Sequence, residues 1–565
     1  MLITLTSWGQ ILNIGGHRAV YEESYKMWLV SIPKANFGTD YTATVNYGDS
    51  ISDFAIDSIN VASGEEFVFE NIEGGKKYIV TATMNDSTIA GYITFTWLPV
   101  VEFYGDFSQY VRYGTVIVND PETCDTEPMF AKINWNEGSS GSGSNKHNFT
   151  VKFLNKEDST KQDRSFFGLR NDSTWMMEAG QKDFLRVRNR VNTDLWLDLA
   201  RPAWYADTLP NARKGSRGQF VELLVNNNYM GFYNMCEPFD RKQVDIVPYD
   251  YERKKFHGGM WHSYEWTRTV TMSSPKPRDP GMAAWDGFRV IYPDYNEIST
   301  VFWTPLEDAV HFAQLADENY ILRSEMGNYF DLPVMQDYYI FITSIQALDN
   351  ESKNIYYVCY DTDVSNRLTM FPSSLGISLG APVAPWDNIT NVVSPVRPVN
   401  WISHLPMVDM WGVPTYRNEV CDRYLELRQT VLNTDSLVNR YRSVIDDLMN
   451  CGAGGREQAR WTRTIDIANK ELNLVKEMNY VENWIRQRME FLDSHFVRVP
   501  IILYEREDVN RDGEVNIADI NALIDIIVNG MIIYNEDGYI TGDANADEEV
   551  NIADINTVLE YILTH

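Results

Sequence analysis

Asp508-Val509-Asn510-Arg511-Asp512-Gly513-Glu514-Val515-Asn516-Ile517-Ala518-Asp519 recurs, with few changes, as Asp543-Ala544-Asn545-Ala546-Asp547-Glu548-Glu549-Val550-Asn551-Ile552-Ala553-Asp554. Hard oxygen side chains fall at loop positions 1, 3, 5 and 12. In the first copy these are Asp508, Asn510, Asp512 and Asp519, and in the second Asp543, Asn545, Asp547 and Asp554. Glu514 and Glu549 stand at position 7, where a backbone carbonyl serves. This is the ligand spacing of an EF-type calcium loop. Each loop runs into apolar residues at helical spacing, over 520–528 and 555–562. A duplicated, self-sufficient element at one end of a 565-residue chain makes the protein modular. Two positions depart from the EF pattern. Position 12 is Asp rather than Glu, and Glu548 replaces the glycine that Gly513 supplies at the sharp turn. A side chain there is disfavoured at positive φ, so the second loop is expected to bind more weakly.

Composition narrows the rest. A formal net charge of −30 would repel a phosphate backbone, which argues against nucleic acid as a partner. Five cysteines without a Cys-x-x-Cys pair give neither a disulfide framework nor a zinc knuckle. No stretch nears 18 consecutive apolar residues, so no membrane span is expected. The start, Met1-Leu2-Ile3-Thr4, lacks the basic and long apolar regions of an export signal.

Upstream of the loops the chain divides in two. Residues 1–95 read as short strands (41–45, 66–69, 78–82) with Glu73-Gly74-Gly75 as a turn. An all-β, immunoglobulin-like sandwich that serves as spacer or binding module is expected. Residues 96–500 read as strands first and helices second, an α+β order. Phe149, Val151 and Phe153 share one strand face, with Lys152 on the other. Residues 219–225 and 231–235 flank Asn226-Asn227-Asn228 as a hairpin. Thr304, Pro305 and Glu307 read as N-cap, N1 and capping box of a helix. Further helices are expected from about 333 to 349, over 416–448 and over 456–495. Residues 501–565 form the α-helical EF-type domain.

For chemistry in the middle region, Asp349-Asn350-Glu351-Ser352-Lys353-Asn354 stands out. Asp followed by Asn five positions later, between a helix and a strand, is the spacing of a kinase catalytic loop. There Asp orients the attacking hydroxyl and Asn holds a metal. Asp387, in Pro385-Trp386-Asp387 after the next strand pair, sits where a second metal-holding carboxylate belongs.

Several segments in order resemble the spore-coat CotH family of atypical protein kinases. They are residues 146–153, Trp175 with Asp183 and Arg188-Asn189, Phe220-Val221-Glu222-Leu223, Asn228-Tyr229-Met230-Gly231-Phe232-Tyr233, Glu237, Tyr292-Pro293-Asp294, residues 349–354, Pro385-Trp386-Asp387 and residues 484–493. The resemblance implies a central kinase-like domain that moves phosphate from ATP, with Mg²⁺, to a protein hydroxyl. It implies Lys152 as the phosphate-pairing lysine, although Lys146 remains open for that role. Glu222 or Glu237 would be its carboxylate partner, with Arg188 beside the nucleotide. Asp349 would be the catalytic base, and Asn354 and Asp387 the Mg²⁺ ligands. Ala347 and Ile389 depart from the family pattern, which has Asn and Asp there, so a non-catalytic scaffold is the first alternative. The duplicated loops resemble a type I dockerin. That implies Ca²⁺, a cohesin partner and an extracellular or cell-surface bacterial setting, such as a polysaccharide-degrading assembly. A carbohydrate-active or carbohydrate-binding protein is the second alternative.

Overall fold

A computed structural model describes residues 12–84, 87–107, 111–124, 127–136, 146–209, 211–318, 320–381, 394–397, 405–462, 471–500, 505–530, 540–547 and 549–565. The chain begins β-rich, continues with mixed sheet and helix, and ends in helices. The first strands are β1 (Leu12–Ile14), β2 (His17–Glu22), β3 (Met27–Ser31), β4 (Tyr41–Tyr47), β5 (Ile51–Ile56), β6 (Ile59–Asn60), β7 (Glu65–Phe69), β8 (Tyr78–Met84) and β9 (Ser87–Thr96). They hydrogen-bond in the order β6-β5-β8-β9-β3-β2-β1-β4-β7. β3 and β9 run parallel. Phe69, near one end of that order, meets Tyr78 and Phe95 edge-on at 5.1 and 5.0 Å. The two halves of the strand order therefore close over one core, in which aromatic edge-to-face contacts add to burial.

Seven strands then close a barrel: β10 (Val100–Tyr104), β11 (Val111–Asn119), β12 (Met129–Asn136), β13 (Asn148–Phe153), β14 (Thr174–Glu178), β15 (Gly218–Val225) and β16 (Asn228–Cys236). Parallel pairing of β10 with β15 completes the ring. Period-two alternation fills it, with Phe149, Val151 and Phe153 inside beside Val221, Leu223, Tyr233 and Met235. β15 breaks the alternation because both its faces are covered. Glu222 and Leu224 on the outer face are as buried as Val221 and Leu223 within. The β15/β16 turn places Asn226 and Asn227 at φ 48 and 62, conformations that asparagine tolerates better than most residues.

A second sheet has the order β18-β19-β17-β20-β21, from β17 (Gly259–Ser263), β18 (Ala284–Trp285), β19 (Phe288–Tyr292), β20 (Ile355–Asp361) and β21 (Ser365–Pro372). Helices Thr304–Glu318 and Leu332–Ile345 belong to the large core beside it. Helix boundaries differ from expectation for local reasons. Thr304 is already helical, and Glu307 pairs with Arg278 at 2.9 Å instead of closing a capping box. Leu332–Ile345 ends at Gln346, which takes a left-handed φ of 48 as C-cap. The expected pair of late helices is four: Pro414–Arg428, Thr434–Asn450, Ala453–Trp461 and Leu474–His495. Gly452, at φ 80, separates the second from the third. Helices Ile517–Asn529 and Ile552–Thr564 follow the duplicated loops and share Val509, Ile520, Leu523, Ala544 and Val558 as a small core. Among the described residues no helix is long and apolar enough to cross a membrane.

Candidate functional site

Two charged constellations occupy the central part. The first grows from the β15/β16 hairpin. Its register shifts between Leu223 and Leu224, a bulge that puts Gly231 at φ 97. Only glycine suits this place, because a Cβ would collide with the Glu457 carboxylate. Helix Ala453–Trp461 lies along the hairpin, with Trp461 Nε1 donating to Met230 O at 3.1 Å and Arg460 Nε to Tyr229 O at 2.9 Å. It delivers Glu457, fully buried. Lys146 Nζ donates to Glu457 Oε1 at 2.9 Å and Oε2 at 3.0 Å, and to Phe232 O at 2.8 Å. Arg186 Nε donates to Glu457 Oε1 at 2.9 Å, and Phe232 N–H to Oε2 at 3.1 Å. Two buried cations thus face one carboxylate. Burial pushes the Lys146 ammonium down to about 8, with Glu457 opposing that shift and Arg186 reinforcing it. Arg186 Nη2 is buried with no hydrogen-bond partner among the described residues. A buried donor without an acceptor suits an incoming anion.

The second constellation follows helix Leu332–Ile345. Tyr338 Oη donates to Asn350 O at 2.8 Å, and Asn350 Nδ2 donates to Ser373 O at 2.6 Å, which pins the loop to β21. Asn354 sits at φ 58 and donates its N–H to Ser263 O at 2.7 Å. This turn brings Asn354 Nδ2 to Asp349 Oδ2 at 3.1 Å. Asp349 also accepts from Trp266 Nε1 at 3.1 Å and from Lys353 Nζ at 3.1 and 3.3 Å. No described residue donates to the Asn354 amide oxygen. The donor set left for a cation is all oxygen, which suits Mg²⁺. His262 stands close by; burial, then Arg289 and Lys353, push its imidazole down to about 3.

The segment between β14 and helix Arg188–Leu199 bonds to the first constellation and feels the charge of the second. Arg186 reaches Glu457, while Lys182 is lowered first by burial and then by the charge of Lys353. Asp183 shapes this segment, accepting from Leu185 N–H at 2.8 Å, Arg188 N–H at 2.7 Å and the Arg188 guanidinium.

Of the expected site residues, Asp349 and Asn354 come together. Asp387 lies outside the described residues. Lys152 is exposed on the outer face of the barrel, opposite Lys132 and Thr174 in register. Its expected partners are engaged elsewhere. Glu222 accepts from Arg456 at 2.6 and 2.8 Å and from Tyr229 Oη at 2.6 Å. Glu237 takes the N–H groups of Arg170 and Arg217 at 2.8 and 3.1 Å and the Arg217 guanidinium at 2.9 Å. Those bonds outweigh burial and hold its carboxyl below the ordinary value. Arg188 is buried between Asp183 and Glu477, so it pairs structurally; burial opposes its charge, and the two carboxylates raise it further. This placement has one cause. β13 alternates strictly, so a lysine between Val151 and Phe153 must face outward, whereas Lys146 precedes the strand and turns beneath the hairpin. Glu457 was missed because it follows Gly452-Ala453-Gly454-Gly455-Arg456, a stretch whose only signal is a helix start.

The described residues of the duplicated loops share one hydrogen-bond pattern. Asp508 accepts from Asp512 and Gly513 N–H, and Asp543 from Asp547 N–H. Asp519 accepts from Asn510 and Asn516 N–H, and Asp554 from Asn545 and Asn551 N–H, at 2.8–3.1 Å. Asp519 and Asp554 are fully buried with no cation beside them among the described residues. Gly513 takes φ 90 as position 6 requires, while Glu548 lies outside the described residues. Elsewhere His257, Asp361 and Asp363 offer ligand atoms within 4.8 Å of one another, but Lys255 already grips Asp363 at 2.5 and 2.6 Å.

No curated protein matches the chain at a significant level. The family described as CotH kinase protein matches residues 137–492, well over half of the sequence, and the span takes in Lys146, Arg186, Asp349, Asn354 and Glu457. The chain belongs to the CotH kinase protein family.

Proposed function

We propose that the chain transfers phosphate from ATP to a protein hydroxyl. The observation that carries this is the pairing of the buried Lys146–Glu457–Arg186 cluster, in which Arg186 Nη2 has no acceptor among the described residues, with the Asp349–Asn354 loop. In this assignment Lys146 replaces Lys152 as the lysine that meets the nucleotide phosphates, with Glu457 orienting it. Asn354 and Asp387 are assigned to Mg²⁺, which when bound would neutralise charge on the phosphates. Asp349 positions the acceptor hydroxyl and takes its proton. Trp266 and Lys353 fix the rotamer of Asp349, so that little reorganisation is needed at the moment of reaction. The test is ATP- and Mg²⁺-dependent labelling of the protein or of a mixture of candidate acceptors. Loss of labelling in Asp349→Asn and Lys146→Met is expected, and undiminished labelling in either would overturn the assignment.

One observation favours a second reading, a binding-only relative. Both oxygens of Asp349 are already engaged. Nucleotide binding by calorimetry without any transfer would favour that reading.

We further propose that residues 505–565 form a calcium-dependent, dockerin-like module. All-oxygen donors at EF spacing and two buried carboxylates without cations support it, since burying an unpaired carboxylate is costly. Ile517, Ile524 and Val528 are exposed at 65, 41 and 76%, and their counterparts Ile552, Leu559 and Leu563 at 72, 42 and 76%. Such duplicated apolar faces fit docking of a partner, here assigned to a cohesin on an extracellular bacterial assembly. Calorimetric titration of the full chain with Ca²⁺ should give two sites of unequal affinity. Absence of any site, or cohesin binding unaffected by chelator, would sink this proposal.

A further inference from the structure

Helix Ala453–Trp461 turns Glu457 toward Lys146, but its start is held from the other side. A Cβ on Gly74 would run into the carbonyl oxygen of Asn450 and the nitrogen of Gly452. A Cβ on Gly452 would come within 2.6 Å of Gly75 N. The Glu73-Gly74-Gly75 turn of the N-terminal part therefore touches, backbone to backbone, the residue that caps the Glu457 helix. One turn earlier, Asp447 is gripped by the Lys34 ammonium and by Trp97 Nε1 at 3.1 Å, with Lys34 lying 4.8 Å over the Trp97 ring.

The same support reaches Arg456, the neighbour of Glu457. Arg456 is tied to Glu222, Glu222 to Tyr229 Oη, and Tyr229 N–H to the buried Glu22 of β2 at 3.4 Å. Val20, Met27 and Leu29 of the N-terminal part pack with Val100, Leu224 and Tyr229 of the barrel. Apolar packing and charge pairing thus join the β1–β9 sheet, the hairpin and the helix around the Arg456–Glu457 peptide. A free spacer would have no need of glycines at a point of backbone contact, nor of a buried carboxylate at the joint.

We propose that the N-terminal β part is the positioning support for Glu457. The Gly74–Gly452 contact and the Asp447 clamp fix where the helix begins. They thereby fix the carboxylate that holds Lys146 and Arg186 in place. Gly74, Lys34 and Asp447 are positioning residues in this scheme, and none of them approaches the reacting atoms. Only the activity arm of the test rests on the kinase assignment.

The test uses the full chain with Gly74→Leu, Asp447→Asn and, as control, Ile79→Ala, whose side chain is exposed on β8. Each variant is treated with an amine-acylating reagent, and lysine modification is followed by mass spectrometry. Lys146 should react about fivefold faster or more in Gly74→Leu, and to a smaller extent in Asp447→Asn. Ile79→Ala should leave it unchanged. Exposed Lys152 and half-buried Lys214, which donates to Ala200 O, serve as references. Unchanged Lys146 reactivity in folded Gly74→Leu overturns the proposal, as does an equal rise at Lys214. Should Gly74→Leu fail to fold, Asp447→Asn combined with Lys34→Ala decides by the same criterion. In the activity arm, KM for ATP should rise more than kcat falls. Faster Lys146 labelling in a protein that transfers no phosphate would leave the support standing and remove the kinase assignment.

Discussion

The two charged constellations solve opposite problems. Lys146 and Glu457 are 311 positions apart and wholly buried. Asp349 and Asn354 are five apart, and Asp349 and Lys353 each keep 16% of their side-chain surface exposed. Removing one partner of a buried pair leaves an uncompensated charge in a low-dielectric interior. Removing one partner of a water-touched pair leaves a charge that solvent can screen. The first constellation is therefore part of the fold as well as of the proposed site, and the second is part of the proposed site alone.

Glu457→Gln should break that comparison most severely. It removes the carboxylate charge that Lys146 and Arg186 share, for a loss of about 3–5 kcal/mol. Denaturant unfolding followed by tryptophan fluorescence should show the destabilisation together with loss of nucleotide binding. A change below about 1 kcal/mol would mean that the two cations are neutralised by other means, and the contrast would fail.

Asp349→Asn should do the reverse. General-base assistance contributes about 10²–10⁴-fold, so phosphate transfer should fall by that order. Lys353 loses a partner that keeps some contact with water, worth no more than about 1 kcal/mol. The unfolding midpoint should barely move while transfer disappears. A large stability loss with activity intact would assign Asp349 to the fold instead.

The same contrast explains what the sequence made legible. Local patterns were readable. They include the alternation of β13, the β15/β16 hairpin with its asparagine turn, the duplicated loops and the Asp349–Asn354 spacing. Each of these is set by residues close in sequence, where geometry follows directly from backbone period. Partners set by tertiary closure were not readable. Glu222 looked like a lysine partner because it sits in a strand near the barrel. Its true partner, Arg456, arrives on a helix more than 200 positions later. Barrel closure by parallel pairing of β10 with β15 was equally invisible, since no local signal marks a non-sequential strand pair. Four late helices stand where two are expected because the breaks after Arg428 and after Trp461 carry no Gly or Pro to mark them, whereas the break at Gly452 falls in the expected gap between the two spans.

A smaller effect tests burial without substitution at either constellation. Burial, followed by the charge of Asp317, pushes the Asp409 carboxyl up to about 8, opposed by Arg323. A raised folded value means that this group stabilises fully below its ordinary range near 3.8, and that the stabilisation is lost as pH rises through about 8. The joint between helices Thr304–Glu318 and Pro406–Trp411 should loosen as pH rises toward about 8 and level off above it. The loosening should not exceed about tenfold per pH unit. Lys146 has the opposite sign. Its folded value is lowered from 10.5 to about 8, so its contribution to stability improves as pH rises between those values. Hydrogen exchange, corrected for intrinsic rates, should show protection falling at the Asp409 joint but not around Glu457. Asp409→Asn should abolish the fall. Equal loss at both places would mean that burial does not set the two shifts.

The smallest expected effect is the sharpest test of which lysine matters. Lys152 stands on the outer barrel face, exposed, between two strand neighbours that offer no carboxylate. Surface substitutions away from special features change stability by about 0.5 kcal/mol or less. Lys152→Ala should therefore leave the unfolding midpoint in place and alter phosphate transfer by less than about twofold. Lys146→Met should abolish nucleotide binding, because the cation is lost from a site in which Glu457 can no longer be shared with Arg186 on the same terms. If Lys152→Ala instead silences transfer while Lys146→Met does not, the nucleotide meets the barrel from outside. The buried constellation would then be a structural strut between barrel and helix, and the whole functional weight would shift to the exposed one.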